Sequence, residues 1–174
     1  YKRAAAISCV SNPMAEYLRS VSGKPVAVVY NGVRRTMAEG LDAEGGDAAR
    51  KRIVYAGNLG RAQGLEVLIQ AFDDASASGV LDGWDLEFVG GGALEANLKE
   101  IAAATSRPAA IRFLPPMSKA DVMRYMASSD LLFINLEAAP VFEKTIPSKV
   151  FDYMLVGRPI LAGLKGEGAS ILAQ

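Results

Sequence analysis

The chain has 174 residues, 19 basic and 19 acidic side chains, one cysteine, no histidine and 51% hydrophobic residues. Balanced charge leaves no footprint for nucleic acid, and the absence of histidine excludes His-based acid–base catalysis, a Ser-His-Asp triad and His-containing metal sites. Cys9 alone can form neither an intrachain disulfide nor a Cys-rich zinc site, and the apolar runs fall short of the roughly 18 residues of a membrane span, so the composition reads as soluble and cytoplasmic.

At roughly 150 residues per domain, the length allows one full domain and a piece of a second. Ile7 to Val10 reads as a short strand, and SNPMAEYLRSV as a helix with Ser11 or Asn12 as N-cap and Pro13 near its first position. PVAVVYNGV gives a second strand ending in Asn31-Gly32. From Arg34 the chain loses periodicity and fills with Gly, Ala and charge, which predicts a linker over 34–51 between a unit of residues 1–33 and a domain of residues 52–174. The start at Tyr1 in an Ala-rich stretch, and the end at ASILAQ just as a helical pattern begins, read as part of a longer protein.

Beyond the linker, strand and helix alternate. RIVYAG precedes a helix with Leu65, Leu68, Ile69 and Phe72 on one face; DLEFVG precedes one with Leu94, Leu98 and Ile101. IRFLP follows, then MSKADVMRYM, opened by Ser118 and Asp121 in a capping-box-like pattern, then DLLFIN, a helix near PSKVFDYMLV, and PILAG. Alternating elements with strands apolar on both faces predict an α/β fold, a Rossmann-like doubly wound parallel sheet. Ligands of such sheets bind outside the carboxyl ends of the strands, so the loops there are the ones to inspect.

The loop GNLGRAQG offers Gly57, Asn58 and Gly60, whose backbone could approach an anion closely, and Arg61, which could pair with phosphate oxygens; it also fits a tight turn with a solvated arginine. VGGG places Gly90 and Gly92 at the first two positions of the dinucleotide fingerprint, but Glu95 stands third and Ala110 where an acid is needed, so the nicotinamide reading is weak. What remains at Gly90 and Gly91 is a backbone passing close to a partner, or a sharp turn. Pro115 and Pro116 lack N–H donors and leave the Met117 amide and nearby carbonyls free for a flat partner, or form only a rigid turn. In EKTIPSKVFDYMLVGRPI, a helix starting near Ser148 puts Ser148, Lys149 and Asp152 on one side and Phe151, Met154 and Leu155 toward the core. A carboxylate at Asp152 could accept two hydrogen bonds from a vicinal diol such as a ribose; the alternative is a surface pair of Lys149 with Asp152.

In this order, YNGV, AGNLGRAQGLEVLIQAF, LEFVGGG, IRFLPPMSKADVMRYMASSDLLFIN and EKTIPSKVFDYMLVGRPILAG resemble the C-terminal domain of retaining glycosyltransferases of family 4, the glycosyl transferases group 1, over most of the chain from about Val26. The wording GNLGRAQGLE with TIPSKVFDYM looks closest to bacterial members that transfer amino sugars in O-antigen or capsule assembly. The resemblance implies one half of a GT-B architecture, with residues 1–33 as the last strand-helix-strand of an acceptor domain and 52–174 as the sugar-nucleotide domain. It implies a nucleoside-diphosphate sugar as partner, most readily a UDP-sugar, a sugar or lipid-linked acceptor held by the rest of the protein, membrane contact only through that part, and no cofactor or metal.

Aligned on Gly157 and Pro159, Asp152 matches the second acid of the family's Glu-x7-Glu pair, which bonds the ribose. The first acid falls at Lys144, so Glu143, one residue earlier, is the expected group near the donor sugar and reacting centre. The family's loop cations are replaced by Asn58 and Gln63, which leaves Arg61, the turn from Thr145 to Ser148, and Lys149 to meet the diphosphate. By resemblance, Gly90 to Gly92, with Gly90 and Gly91 as donor-binding residues, pass near the donor, and the loop from Leu114 to Met117, with Pro116 and Met117, presents backbone groups to the base. The implied reaction is transfer with retention by same-face attack, the leaving phosphate acting as base. A sugar-nucleotide 2-epimerase and a non-catalytic sugar-nucleotide-binding module are the alternatives.

Overall fold

The computed structural model describes residues 1, 3–37, 39–41 and 50–174. Strands β1 (Ile7–Cys9) and β2 (Val26–Val28) pair in parallel as a separate two-stranded sheet, with helix α1 (Asn12–Ser22) crossing between them. Ser11 is the N-cap, its hydroxyl accepting the Met14 N–H at 3.3 Å. Strand β2 stops at Val28, short of the expected Asn31-Gly32, because its partner has three residues; the last bond runs from Val29 N–H to the Cys9 carbonyl at 2.8 Å. Among the described residues, hydrogen bonds from Ser11, Asn12 and Tyr30 tie this unit to the rest of the chain. The Ser11 hydroxyl donates to the Lys144 carbonyl at 2.8 Å, and the Glu167 carboxylate accepts from the Asn12 N–H at 2.7 Å and the Tyr30 hydroxyl at 2.5 Å. Of the expected linker, residues 38 and 42–49 lie outside the described residues, and Lys51 already belongs to a strand.

The remaining elements are β3 (Lys51–Ala56), α2 (Glu66–Ala77), β4 (Trp84–Val89), α3 (Glu95–Ala103), β5 (Ile111–Leu114), α4 (Lys119–Ala127), β6 (Leu131–Asn135), α5 (Pro140–Glu143), α6 (Lys149–Val156), β7 (Ile160–Gly163) and α7 (Gly166–Leu172). All five strands are parallel, in the order β5-β4-β3-β6-β7. Strand order reverses between β3 and β6, the doubly wound arrangement the alternation predicted, and such a reversal opens a crevice at the strands' carboxyl ends.

One face of the sheet, with Ile53, Tyr55, Leu86, Phe88, Ile111 and Phe133, packs on α2 and α3 through Leu65, Leu68, Ile69, Phe72 and Leu98. Each fully buried Leu, Ile or Phe contributes about 1.5–3 kcal/mol, which makes this apolar layer the larger stabilising block. The other face packs on α4 and α6 through Val54, Ala56, Val89, Leu132 and Ile134. It is not uniformly apolar as expected, because Asp85 and Glu87 of β4 are buried there at 1% and 2% exposure. Their charges are accommodated by partners: Asp85 pairs with Arg50 and Arg112 at 2.8 Å each, Glu87 with Arg112 at 2.7 Å, and the Tyr125 hydroxyl donates to Glu87 at 2.7 Å. Buried acids are tolerable only when satisfied in this way.

Helix α6 corrects the expected register. Val150 and Tyr153 are the buried pair at 0% and 1%, while Met154 is 48% exposed and Phe151 and Leu155 are half-buried. The helix starts with Ser148 as N-cap, and its buried stripe follows Val150 and Tyr153 toward the sheet. Gly157, at φ 72°, ends it with its N–H on the Tyr153 carbonyl at 3.2 Å. Arg158 then ties the exit to α4 by donating to the Ala127 carbonyl at 2.7 Å, and Pro159 leads into β7, its carbonyl accepting from Leu132.

Candidate nucleotide-binding site

Two glycine loops lie against each other at the carboxyl ends of β3 and β4. The Gly57 N–H bonds the Val89 carbonyl at 2.9 Å, Leu59 N–H the Gly91 carbonyl at 2.9 Å, and Gly90 N–H the Leu114 carbonyl at 3.1 Å. A Cβ at Gly90 would stand 2.0 Å from the Gly57 carbonyl oxygen, and φ there is 139°, so only glycine fits. The partner that VGGG approaches closely is therefore the neighbouring loop, and the amides of Gly57 and Gly90 are already spent, on the carbonyls of Val89 and Leu114 at the ends of β4 and β5.

Above these loops lies a cavity of about 490 Å³, lined on one side by Gly57, Asn58, Gly90 and Gly91, on another by Pro116, Met117 and Lys119, and closed by Ser148, Lys149, Asp152 and Tyr153 of α6. The sequence-derived candidates in this lining are thus Gly57, Asn58, Gly90, Gly91, Pro116, Met117, Ser148, Lys149 and Asp152. Lys149 turns away from Asp152: its ammonium donates to the Tyr55 hydroxyl at 2.6 Å and sits 4.0 Å from the Tyr55 ring centroid, and a Cβ on Gly57 would come within 2.6 Å of it. Burial, the larger cause, pushes the Lys149 ammonium down from 10.5 to about 8 against the pull of nearby Asp152. Burial also raises the phenols of Tyr55 and Tyr153 well above their ordinary value, so both remain donors at neutral pH.

Asp152 is paired with Lys119, the first residue of α4, in place of the Lys149 partner considered from spacing. Tyr153 anchors the helix from below. Its hydroxyl accepts the Ala56 N–H at 3.0 Å and donates to the Ala56 carbonyl at 3.3 Å, where the β3–β6 ladder, paired through Ile53 and Val54, no longer reaches. That bridge fixes α6 against the end of β3. Tyr55 in turn donates to the Asn58 carbonyl at 2.7 Å and holds the glycine loop.

The other candidates stand elsewhere. Gly60 is buried, with the Asn58 and Gln63 side chains against it; Gln63, which replaces a family cation, turns its Oε1 back into the loop, buried and without a hydrogen-bond partner among the described residues. Arg61 is exposed on the turn Arg61–Gln63 and does not line the cavity. Thr145 lines a separate groove of about 370 Å³ with Met14, Tyr17, Pro140, Val141 and Lys144. Glu143, at the end of α5, lines a second cavity of about 630 Å³ with Glu66, Glu137 and Lys165, among others, and its carboxylate lies 4.0 Å from Lys165. Sequence reasoning missed Lys119, Tyr55 and Tyr153. Lys119 lies in the loop PPMSKAD at a strand's carboxyl end, but the two tyrosines sit in apolar runs that read as plain core.

Among the described residues, no helix is long and apolar enough to cross a membrane, and no group of three or more His, Cys, Asp or Glu side chains is placed to hold a metal ion. Several solved glycosyltransferases share the fold. HepE from Anabaena, solved with UDP-glucose, matches 99% of this chain and 48% of its own at TM-score 0.73 and 18% identity. WaaG, a glycosyltransferase involved in lipopolysaccharide biosynthesis, matches 95% and 46% at 0.77 and 13%. TarM from S. aureus, solved with UDP, alpha-GlcNAc-glycerol and fondaparinux, matches 97% and 32% at 0.73 and 10%. The chain therefore spans a third to a half of the length of these structures, and at such identities the likeness is one of fold. A search of curated proteins returned no match. The sequence profile described as glycosyl transferases group 1 matches residues 41–173, and the chain belongs to that family.

Proposed function

We propose that this chain is the donor-binding part of a retaining glycosyltransferase of family 4, which moves a sugar from a nucleoside diphosphate, most readily UDP, to a sugar or lipid-linked acceptor held by the rest of the protein. The observation that carries this reading is the cavity in which Lys149 and Asp152, on the first turn of α6, face the Gly57 and Gly90 loops and the Pro116–Met117 wall. Asp152 suits a ribose diol and Lys149 a diphosphate. With the Gly57 and Gly90 amides engaged by the Val89 and Leu114 carbonyls and Arg61 exposed outside the cavity lining, charge on the leaving diphosphate falls chiefly to the Lys149 ammonium and the first turn of α6. A fixed cation in a half-buried cleft stabilises that charge more than a solvated one does.

Retention follows in this reading from same-face attack, the departing phosphate oxygen taking the acceptor proton; Glu143, which lines the neighbouring cavity, is the group this reading assigns to the donor sugar and reacting centre. Polysaccharide or glycolipid assembly, at the cytoplasmic face of a membrane, is the proposed setting, and an amino sugar of O-antigen or capsule the proposed cargo. The test is calorimetric titration of the chain with UDP and GDP, together with incubation of the complete protein with labelled UDP-sugar and acceptor. Binding of UDP and a product with retained anomeric configuration support the reading. Epimerised donor, or binding without turnover in the complete protein, would replace it with an isomerase or a binding module, and an inverted product would refute the retaining mechanism.

A further inference from the structure

We infer that Lys119 selects the base of the bound nucleotide, favouring pyrimidines, by donating from its ammonium to pyrimidine O2 while its ion-pair partner Asp152 holds the ribose diol. This rests on the donor-site reading above. Lys119 follows the Pro116–Met117 wall directly, at the first position of α4. Its backbone is fixed by the Ser118 cap: the Ser118 hydroxyl donates to the Asp121 carboxylate at 2.6 Å and accepts the Asp121 N–H at 3.2 Å. Its side chain reaches across the cavity to Asp152, remaining 45% exposed against 18% for the acid.

Neither partner is saturated by that bond. An ammonium carries three N–H donors and a carboxylate about four lone-pair positions, so a diol can join Asp152 without expelling Lys119. The charges of the cavity are also divided in space. Lys149 lies at the glycine end, against Tyr55 and Gly57, whereas Lys119 enters from the Pro116–Met117 side and its ammonium rests on Asp152. A nucleoside diphosphate with its phosphates near Lys149 and its diol on Asp152 has its base on the Lys119 side. In an anti pyrimidine nucleoside, O2 stands beside the ribose 2′-hydroxyl, so a donor bound to the carboxylate that holds this hydroxyl reaches O2. Purines present the ring nitrogen N3 there, a weaker partner for an ammonium than a carbonyl oxygen.

The test is calorimetric titration of UDP, CDP, ADP and GDP into the wild-type chain and its Lys119→Met and Lys119→Arg variants. The wild type is expected to prefer the two pyrimidine diphosphates. Lys119→Met is expected to weaken UDP and CDP by about tenfold and ADP and GDP by under about twofold, and Lys119→Arg to restore most of the preference. An equal loss for all four nucleotides reduces Lys119 to general electrostatic attraction and overturns the inference; so does tighter UDP binding by Lys119→Met, which makes the lysine a mere occupant of Asp152. Both results leave the donor site standing, whereas UDP binding that Asp152→Ala does not weaken, or no nucleotide binding by the wild type, overturns the donor-site reading and this inference with it.

Discussion

The two cavities at the carboxyl edge of the sheet differ in how they are built, and size is the poorer guide to their roles. The larger, at about 630 Å³, is bordered by Glu66, Glu137, Glu143 and Lys165, whose one close ion pair, Glu143 with Lys165 at 4.0 Å, joins two side chains that are 50% and 65% exposed. The smaller, at about 490 Å³, is set in fixed surroundings: two glycine loops bonded to each other, a helix anchored by Tyr153 to Ala56, and a lysine held on Tyr55. Preorganised donors act more strongly on a bound charge than mobile ones do, so the smaller cavity is the better-made receptor for a diphosphate and the larger one the more adaptable space beside it.

Four substitutions sharpen or break that contrast. Gly90→Ala sets a Cβ 2.0 Å from the Gly57 carbonyl at φ 139°, and the paired loops must part; a loss of about 3 kcal/mol of stability is expected, read as a fall in the thermal or denaturant midpoint. A variant as stable as the wild type would show that the loops are not mutually fixed. Asp152→Ala removes the acceptor for a diol and is expected to weaken UDP by about a hundredfold in calorimetry, two charge-assisted bonds being lost. Lys149→Met is expected to weaken UDP by about tenfold.

Lys149 also sets a pH dependence. Its amine is depressed from 10.5 to about 8 in the folded chain, so between those values the folded state binds fewer protons than the unfolded one, and stability rises as pH rises through that window. Denaturant midpoints between about pH 8 and 10.5 should therefore show a rise that Lys149→Met lacks, while UDP affinity of the wild type declines above about pH 8 as the cation is lost. The smallest effect belongs to the other cavity. Glu143→Gln is expected to leave UDP affinity of this chain within about twofold, since removing one half-exposed carboxylate outside the nucleotide cavity changes little, and to lower transfer by the complete protein.

The sheet and its helices were legible because their signals are periodic. Leu65, Leu68, Ile69 and Phe72 repeat at helical spacing and are all buried, and the alternation of strand with helix announced the doubly wound parallel sheet, though not its strand order. What periodicity could not show is which of several apolar residues faces the sheet when a helix is apolar nearly all round. In α6 the choice fell to Val150 and Tyr153, because the tyrosine hydroxyl reaches Ala56 at the end of β3, beyond the β3–β6 pairing, while Met154 is left to solvent. Asp85 and Glu87 defied the apolar pattern because their partners, Arg50 just before β3, Arg52 in it, Arg112 of β5 and Tyr125 of α4, make contacts without a local signature.

The candidate site divides along the same line. Residues within one short segment, such as Ser148, Lys149 and Asp152, were found from spacing, and the cavity holds all three. Their partners were not. Lys149 turns to Tyr55 and Asp152 to Lys119, at separations of 94 and 33 residues, and no pattern within a helix announces a pairing made across the fold.

The most direct measurement is heteronuclear NMR of the chain during titration with UDP. The account predicts that the backbone signals of Gly57, Asn58, Gly91, Met117, Ser148, Lys149 and Asp152 shift together and saturate, with those around Glu137, Phe142 and Lys165 nearly still. Shifts concentrated around Glu137, Phe142 and Lys165, with the glycine loops and the start of α6 unmoved, would contradict it.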